Sequence, residues 1–429
     1  MTETMKDSGQ EWIGAIPESW DTNRIRYCLN EINVKNSPVK TEQILSLVKD
    51  KGVMLYEEKG DVGNKAKEDI TGYKVAFPNT LIVNSMNILI GSVGISKYKG
   101  CVSPVYYVFR EKDNSDLRFV NYIFNTREFQ KELRKYANGI LEIRLRVSAT
   151  DIFNRKMPLP SKDEQIKIAD FLDEKCAEID QLSEDIQKQI DVLEEYKKSV
   201  ITRAVTKGLD PSAEMKESGI DYLGKYPTNW KLSRVKFNLS EPMKYGATES
   251  GVEYSEDLPR YIRITDITSD NKLKEDGKLS LTWQQAKGYT LSRDTILFAR
   301  SGGTVGKTFY YKPSYGKAAF AGYLISATPN EEKMLTEWLY FYTLSNTYWE
   351  WANQIFTQAT IQNIGADKYS NLPITVPDIE TQKTIILYLT DKCSEIDESI
   401  TLKRNQLDKL ATYKKSIIYE YVTGKKRVA

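Results

Sequence analysis

Residues 161–208 read SKDEQIKIADFLDEKCAEIDQLSEDIQKQIDVLEEYKKSVITRAVTKG, and residues 378–425 read DIETQKTIILYLTDKCSEIDESITLKRNQLDKLATYKKSIIYEYVTGK. The second is the first written again, without a gap, at a constant offset of 217. Gln165/Gln382, Lys175-Cys176/Lys392-Cys393, Glu178-Ile179-Asp180/Glu395-Ile396-Asp397 and Tyr196-Lys197-Lys198-Ser199/Tyr413-Lys414-Lys415-Ser416 are identical. A repeat of this length dictates architecture before any single residue does. Steps of four and three pick out Leu172, Cys176, Ile179, Ser183, Ile186, Ile190, Leu193, Lys197, Val200 and Ala204 in the first copy. In the second they pick out Leu389, Cys393, Ile396, Ile400, Lys403, Leu407, Leu410, Lys414, Ile417 and Tyr421. Sustained over more than four heptads, that period predicts two coiled-coil helices with a seam each. A pair of amphipathic surface helices is the plainer reading of the same pattern. At 1.5 Å per residue, the stretch from Leu172 to Ala204 spans roughly 50 Å.

A second repeat opens each half. Residues 5–20, MKDSGQEWIGAIPESW, return as residues 215–230, MKESGIDYLGKYPTNW, at an offset of 210. Each half therefore starts with the same lead-in and ends with the same helix, while its middle varies. The first middle holds strand-like runs at 80–91 and 101–110 and an aromatic helix candidate at 117–137. The second holds strand-like runs at 261–267, 295–301 and 323–328 and a helix candidate at 333–354. Short strands followed by helices point to α+β domains.

With 429 residues the chain exceeds one ordinary domain. Lys+Arg 61 against Asp+Glu 59 leaves any anion-binding surface to local clustering. The absence of histidine excludes histidine bases, Ser-His-Asp triads and histidine-ligated zinc. Four cysteines, Cys28, Cys101, Cys176 and Cys393, form no CxxC and no metal pattern. If the long helices run antiparallel, Cys176 and Cys393 fall roughly 36 Å apart, so they read as small apolar seam residues. No apolar run reaches a membrane span and the first residues carry no signal-peptide stretch, so a cytoplasmic location is expected.

Gly302-Gly303-Thr304-Val305-Gly306-Lys307-Thr308 approaches a phosphate-cradling loop, but Ser301 stands where its first glycine should be. The following Phe309-Tyr310-Tyr311-Lys312-Pro313 is strand-like where a helix should begin. A glycine-rich hairpin presenting Arg300, Ser301 and Lys307 is expected, structural or touching phosphates; a nucleotide-binding enzyme built on 302–308 is the alternative. Basic and amide-rich stretches precede each long helix, at 138–157 and 354–372. Arginine can contact guanine, and glutamine or asparagine adenine, through paired hydrogen bonds. Arg144, Arg146 and Lys156 in the first half, and Gln358, Thr360, Gln362 and Asn363 in the second, are thus candidate DNA contacts, with solvated surface positions as the competing reading.

The repeated lead-in, residues 295–308 (TILFARSGGTVGKT), residues 358–365 (QATIQNIG) and Leu159-Pro160 ahead of Gln165 together resemble the DNA-specificity subunits of Type I restriction-modification systems. The resemblance covers nearly the whole chain, twice over. It implies two target-recognition domains in pseudo-twofold repeat, separated by two long antiparallel coiled-coil helices, an α+β fold. The expected divisions are 1–160, first recognition domain; 161–208, first spacer helix; 209–377, second recognition domain; 378–424, second spacer helix; and 425–429, a tail. It further implies a non-catalytic reader of a bipartite, asymmetric site on double-stranded DNA, with two methyltransferase and two endonuclease/translocase subunits as partners. S-adenosylmethionine, ATP and Mg are expected in those partners, and neither cofactor nor metal in this chain. The first half departs from the pattern: Asn138-Gly139-Ile140-Leu141-Glu142 replaces Gln358-Ala359-Thr360-Ile361-Gln362, and its hairpin shrinks to Gly91-Ser92-Val93-Gly94. Seam lysines Lys197, Lys403 and Lys414 are hard to satisfy in a helix pair. With Val192, Ile201 and Ile418 read as outward apolar residues, they predict partner helices completing a bundle, Val192, Ile201, Lys403 and Ile418 being the partner-binding candidates.

Overall fold

The repeated glutamine has a structural reason. In the computed structural model, which describes residues 4–49, 51–61, 65–139, 145–268, 272–357 and 363–428, Gln165 is fully buried. Its Oε1 accepts from Asp116 N–H (2.9 Å), and its Nε2 donates to the carbonyls of Asn114 (3.1 Å) and Pro160 (3.0 Å). Gln382 repeats the arrangement, accepting from Leu335 N–H (2.8 Å) and donating to Lys333 (3.0 Å) and Pro377 (2.9 Å). A buried amide is tolerated only when its hydrogen bonds are made. Here they tie the first turn of a long helix to the loop that starts the domain's own helices.

The long helices are Lys162–Lys207 and Ile379–Val422. Each ends on a glycine in the left-handed region, Gly208 (φ 76°) and Gly424 (φ 71°), the usual device for stopping a helix. A lead-in tryptophan lies over each: a side chain on Gly208 would meet the Trp230 ring at 3.3 Å, and one on Gly424 the Trp20 ring at 3.0 Å. The repeated Trp therefore belongs with the helix end.

The chain forms two compact units, residues 1–186 with 405–429, and residues 187–404. Each holds one globular half together with portions of both long helices. In the first, strands Leu29–Glu31, Tyr106–Glu111, Thr80–Asn84 and Val93–Ser96 make an antiparallel four-stranded sheet in that order. Helices Leu117–Phe124 and Arg127–Arg134 follow, and Phe119, Val120, Ile123 and Phe129 are buried with Leu81 and Phe109 of the sheet. In the second, Lys244–Tyr245, Leu324–Ala327, Thr295–Ala299 and Thr308–Tyr311 make the same sheet in the same order, followed by helices Thr336–Thr343 and Asn346–Thr357. The second unit adds a five-stranded mixed sheet. Before each long helix a strand pairs with the strand after the lead-in, Lys156–Leu159 with Asp21–Arg24 and Pro373–Val376 with Lys231–Arg234.

Several expected runs are shorter than the sequence pattern. The strand expected over 80–91 stops at Asn84, whose side chain accepts from Met86 N–H (3.0 Å) and turns the chain. The run 101–110 breaks between strands Gly100–Val102 and Tyr106–Glu111, at Pro104, which has no N–H to donate. The helix expected over 117–137 divides at Thr126, which caps the second piece by accepting from Phe129 N–H (3.3 Å).

Inside each unit the two helix portions run antiparallel. In the first, Leu172, Ile179 and Ile417 share a buried cluster, and Lys414 Nζ lies 2.5 Å from Asp180. In the second, Ile201, Ala204, Ile385, Leu389 and Cys393 are buried together, and Lys197 Nζ lies 2.6 Å from Asp397. Lys197 and Lys414 are equivalent at offset 217, and so are Asp180 and Asp397. One ion pair is thus made twice.

This corrects the expectation that the seam lysines lack partners in a helix pair: the long lysine stem crosses the seam and delivers its charge to a carboxylate at the edge. Lys403 crosses likewise but donates to the amide oxygen of Gln189. Ile201, expected to face outward, is only 2% exposed, because the helix there is already docked on the second unit's core. Ile418 is half-buried against the first core. Val192 is outward, at 68% exposure. The four cysteines are free and buried.

Gln382→Leu keeps the size of the side chain but takes the partner from one part-buried N–H and two carbonyls. A loss of about 1–3 kcal/mol for each group left without a partner is expected, read as a lowered urea midpoint. Val192→Ala, on an exposed face, should leave that midpoint within about 0.5 kcal/mol.

Candidate nucleic-acid interface

In the second unit, strands Thr295–Ala299 and Thr308–Tyr311 pair antiparallel, with Phe298 opposite Thr308. The glycine-rich segment between them is a turn, containing one short 3-10 helix at Gly302–Thr304. A strand follows where a phosphate loop needs a helix N-terminus, so the geometry is that of the expected hairpin. Gly306 sits at φ 86° with the Trp349 ring 3.0 Å from where a side chain would begin, which leaves room for glycine alone.

The hairpin is held from below by tyrosines. Tyr369 Oη donates to the Ala299 carbonyl (2.8 Å) and Tyr348 Oη to that of Gly306 (2.6 Å). Burial pushes both hydroxyls up from their ordinary pKa, well up for Tyr348, so they stay protonated donors throughout the working range.

Arg300 leaves the strand at the edge of this support. Its N–H donates to the Tyr323 carbonyl (3.0 Å), and its carbonyl accepts from Ile364 N–H (2.8 Å). Ser301 bridges antiparallel to Asn363. The Arg300 guanidinium lies 4.9 Å from the centre of the Tyr245 ring, and its Nε is buried with no hydrogen-bond partner among the described residues. Tyr245 Oη in turn accepts from Ala366 N–H (3.0 Å). Tyr323 is 64% exposed beside it, and Lys307 and Asn363 are exposed. The buried Nε is closed to solvent, but an arginine held over an aromatic ring and only partly buried as a residue has a planar guanidinium suited to an acceptor such as a base edge or a phosphate oxygen.

The structure brings Arg300, Ser301 and Asn363 together and adds Tyr245 and Tyr323, which the sequence reading missed. Tyr245 stands 55 positions before Arg300 in the chain; its pairing with Ile325 places it there, and no local motif marks it. Gln358, Thr360 and Gln362 lie outside the described residues, as does Arg144.

The first unit keeps the backbone and changes the side chains. Val147 N–H donates to the Ser85 carbonyl (3.0 Å), at the place where Ile364 meets Arg300. Ser85 thus occupies the arginine's position. Arg146 is exposed, with its N–H and carbonyl bonded to Asn138 (2.9 Å each). A groove of about 350 Å3 includes Met86 and Asn87 together with Lys49, Lys59, Lys65 and Tyr106. Lys156 is exposed on the strand paired with Asp21–Arg24, directly opposite Arg24 and apart from the Ser85–Val147 junction.

Among the described residues no group of carboxylates and cysteines could hold a metal ion, and no helix is long and apolar enough to cross a membrane.

Comparison with known proteins gives two matches to one family, described as the Type I restriction modification DNA specificity domain, at residues 28–192 and 248–411. The chain is 23% identical to the Type I restriction enzyme MjaVIII specificity subunit of Methanocaldococcus jannaschii, covering 96% of this chain and 94% of that one. It is 22% identical to the EcoDI specificity subunit of Escherichia coli over 64% and 63% of the two chains. Among solved structures, a chain from work on complex assembly and conformational transition of the type I R-M system superposes with a TM-score of 0.72 at 14% identity, covering 96% and 99%. The HsdS subunit from Thermoanaerobacter tengcongensis gives 0.50 at 15%, covering 96% and 98%. The two family matches span most of the sequence and fall one in each half, and on that ground the chain belongs to the Type I restriction-modification DNA specificity family, as a specificity subunit with two recognition domains.

Proposed function

We propose that each globular half reads one part of a bipartite, asymmetric site on double-stranded DNA, and that the chain serves as reader and scaffold for methyltransferase and endonuclease/translocase subunits. The observation that carries this reading is the doubled junction. Both halves hold the same backbone bond, Ile364 to Arg300 and Val147 to Ser85, while the side chains displayed around it differ. Identical scaffolds with different displays suit two half-sites of different sequence. Arg300, Ser301, Lys307 and Asn363, with Gln358, Thr360 and Gln362, are the proposed contacts of the second domain. Arg144, Arg146 and Lys156 are those of the first. Catalysis, with S-adenosylmethionine, ATP and Mg, is assigned to the partner subunits. The nucleotide-binding alternative loses its ground with the strand that follows the glycine-rich turn.

Partner subunits of this kind would dock on the apolar positions that the helix pair leaves uncovered. In the second unit Val192, Tyr196 and Leu402 are 68%, 49% and 65% exposed. Lys403 at the seam edge and Ile418 in the first unit are secondary candidates. Ile201 contributes through the core it fills. Val192→Glu with Leu402→Glu should lower the amount of methyltransferase subunit that co-purifies. Full stoichiometry in that variant would remove this surface from the proposal.

Arg300→Ala should cost about 1–3 kcal/mol on the cognate duplex and relax preference at one position of one half-site. Selection of bound duplexes from a random pool measures both. Unchanged affinity with an unchanged consensus would exclude Arg300 as a reader.

We further propose that the paired helices set the unread gap, with half-sites centred roughly 34 Å apart, about one turn of DNA. Inserting four residues after Glu184 nearly preserves helical phase. The accepted gap should lengthen while each half-site keeps its sequence, as read by mapping modified adenines in the host genome; binding with the original gap would exclude the helices as the ruler.

A further inference from the structure

Residues 21–28, DTNRIRYC, and 231–238, KLSRVKFN, follow the lead-in at the same offset of 210, and their pattern of buried and exposed positions is identical. Ile25 and Val235 are fully buried. Each sits in a short 3-10 turn, Ile25–Tyr27 and Val235–Asn238, that throws its neighbours outward. Arg24, Arg26 and Tyr27 are exposed in the first unit, and Arg234, Lys236 and Phe237 in the second. The aromatic residues are 53% and 61% exposed.

The cations are placed but not neutralised. Arg26 donates to Asn154 Oδ1, and Arg234 donates to Asn371 Oδ1 (3.1 Å). The two asparagines are equivalent at offset 217. Lys236 Nζ lies 5.1 Å from the Phe237 ring centre. None of Arg24, Arg26, Arg234 and Lys236 pairs with a carboxylate among the described residues, in a chain where Lys197, Lys414 and Arg118 all do.

The patches also stand in a fixed relation to the candidate reading segments. Asn154 ends the helix Ala149–Asn154, which begins three residues after Arg146. Asn371 follows the helix Ala366–Ser370, which begins three residues after Asn363. A five- or six-residue helix rises roughly 7.5–9 Å, comparable with the depth of a major groove, about 8.5 Å, that separates base edges from its rim.

We infer that Arg24, Arg26 and Tyr27, and separately Arg234, Lys236 and Phe237, grip the sugar–phosphate backbone beside each half-site and supply affinity that carries no sequence. The inference rests on the proposed DNA reading and adds a second class of contact to it. Residues that differ between the halves face what differs between the half-sites. Exposed cations repeated in both, and left without carboxylate partners, suit what the half-sites share, which is the polyanionic backbone. Two copies of one protein partner would also be a shared feature, but a face of unpaired cations suits a polyanion better.

The test is the full-length chain with Arg24→Gln, Arg26→Gln, Arg234→Gln and Lys236→Gln together, against the unaltered chain and a variant carrying Lys at the three arginines. Affinity is measured for a random-sequence duplex and for a selected cognate duplex between about 50 and 200 mM salt. The expected result is an equal fractional loss on both duplexes, an unchanged consensus, and a log K against log salt slope shallower by up to about 0.9 for each phosphate contact removed. The lysine variant should keep the slope. An unaltered chain that binds DNA, with a glutamine variant of equal affinity and slope, overturns the inference alone. So does a loss confined to the cognate duplex, or a fall in co-purifying methyltransferase with the slope intact. Failure of the unaltered chain to bind any duplex overturns the DNA reading itself.

Discussion

Everything in each half depends on one buried amide. Gln165 and Gln382 satisfy a helix-initiating N–H and two carbonyls at the point where the globular part meets the long helix. An uncharged side chain with both a donor and an acceptor end is required there; a carboxylate could not donate and an aliphatic chain could do neither. Because the amide is fully buried and its partners are buried or part-buried, a misplaced helix would leave them unpaired, and that penalty makes the junction stiff. A stiff junction is what a reading surface needs if its position is to be set by the helix that carries it.

The helix pairing works with weaker forces. The Lys197–Asp397 and Lys414–Asp180 pairs are partly exposed, and pairs of that kind contribute little stability. Burial of Leu172, Ile179, Leu389, Ile396 and their neighbours supplies the attraction. A uniform apolar seam, however, tolerates sliding by a heptad. A lysine that finds its carboxylate in one register only removes that freedom, and the repeat obtains the same lock twice from a single pattern.

The candidate interface divides its labour in a similar way. Buried tyrosine hydroxyls and glycine geometry hold the hairpin, which allows Arg300 to stand over the Tyr245 ring. The first half holds the corresponding backbone junction with Ser85, near a groove whose lining includes Lys49, Lys59 and Lys65. Specificity can then diverge without rebuilding the fold, since the hydrogen bonds that define the scaffold are made by backbone atoms common to all side chains.

The sequence by itself determined the doubled architecture, the two long helices, the free cysteines and the hairpin at 300–307, because each is written in local period, spacing or glycine placement. It also marked Arg300, Ser301 and Asn363, whose residue types and neighbouring motifs are contiguous. Tertiary structure alone decided that Tyr245 lies under Arg300, that Tyr323 flanks it, that Ile201 is core, and that the seam lysines Lys197 and Lys414 have carboxylate partners. Those facts arise from strand pairing and helix docking between residues far apart in the chain. A helical period names the face a residue lies on. What covers that face is set by whichever distant segment packs against it, and no spacing within the helix records that segment.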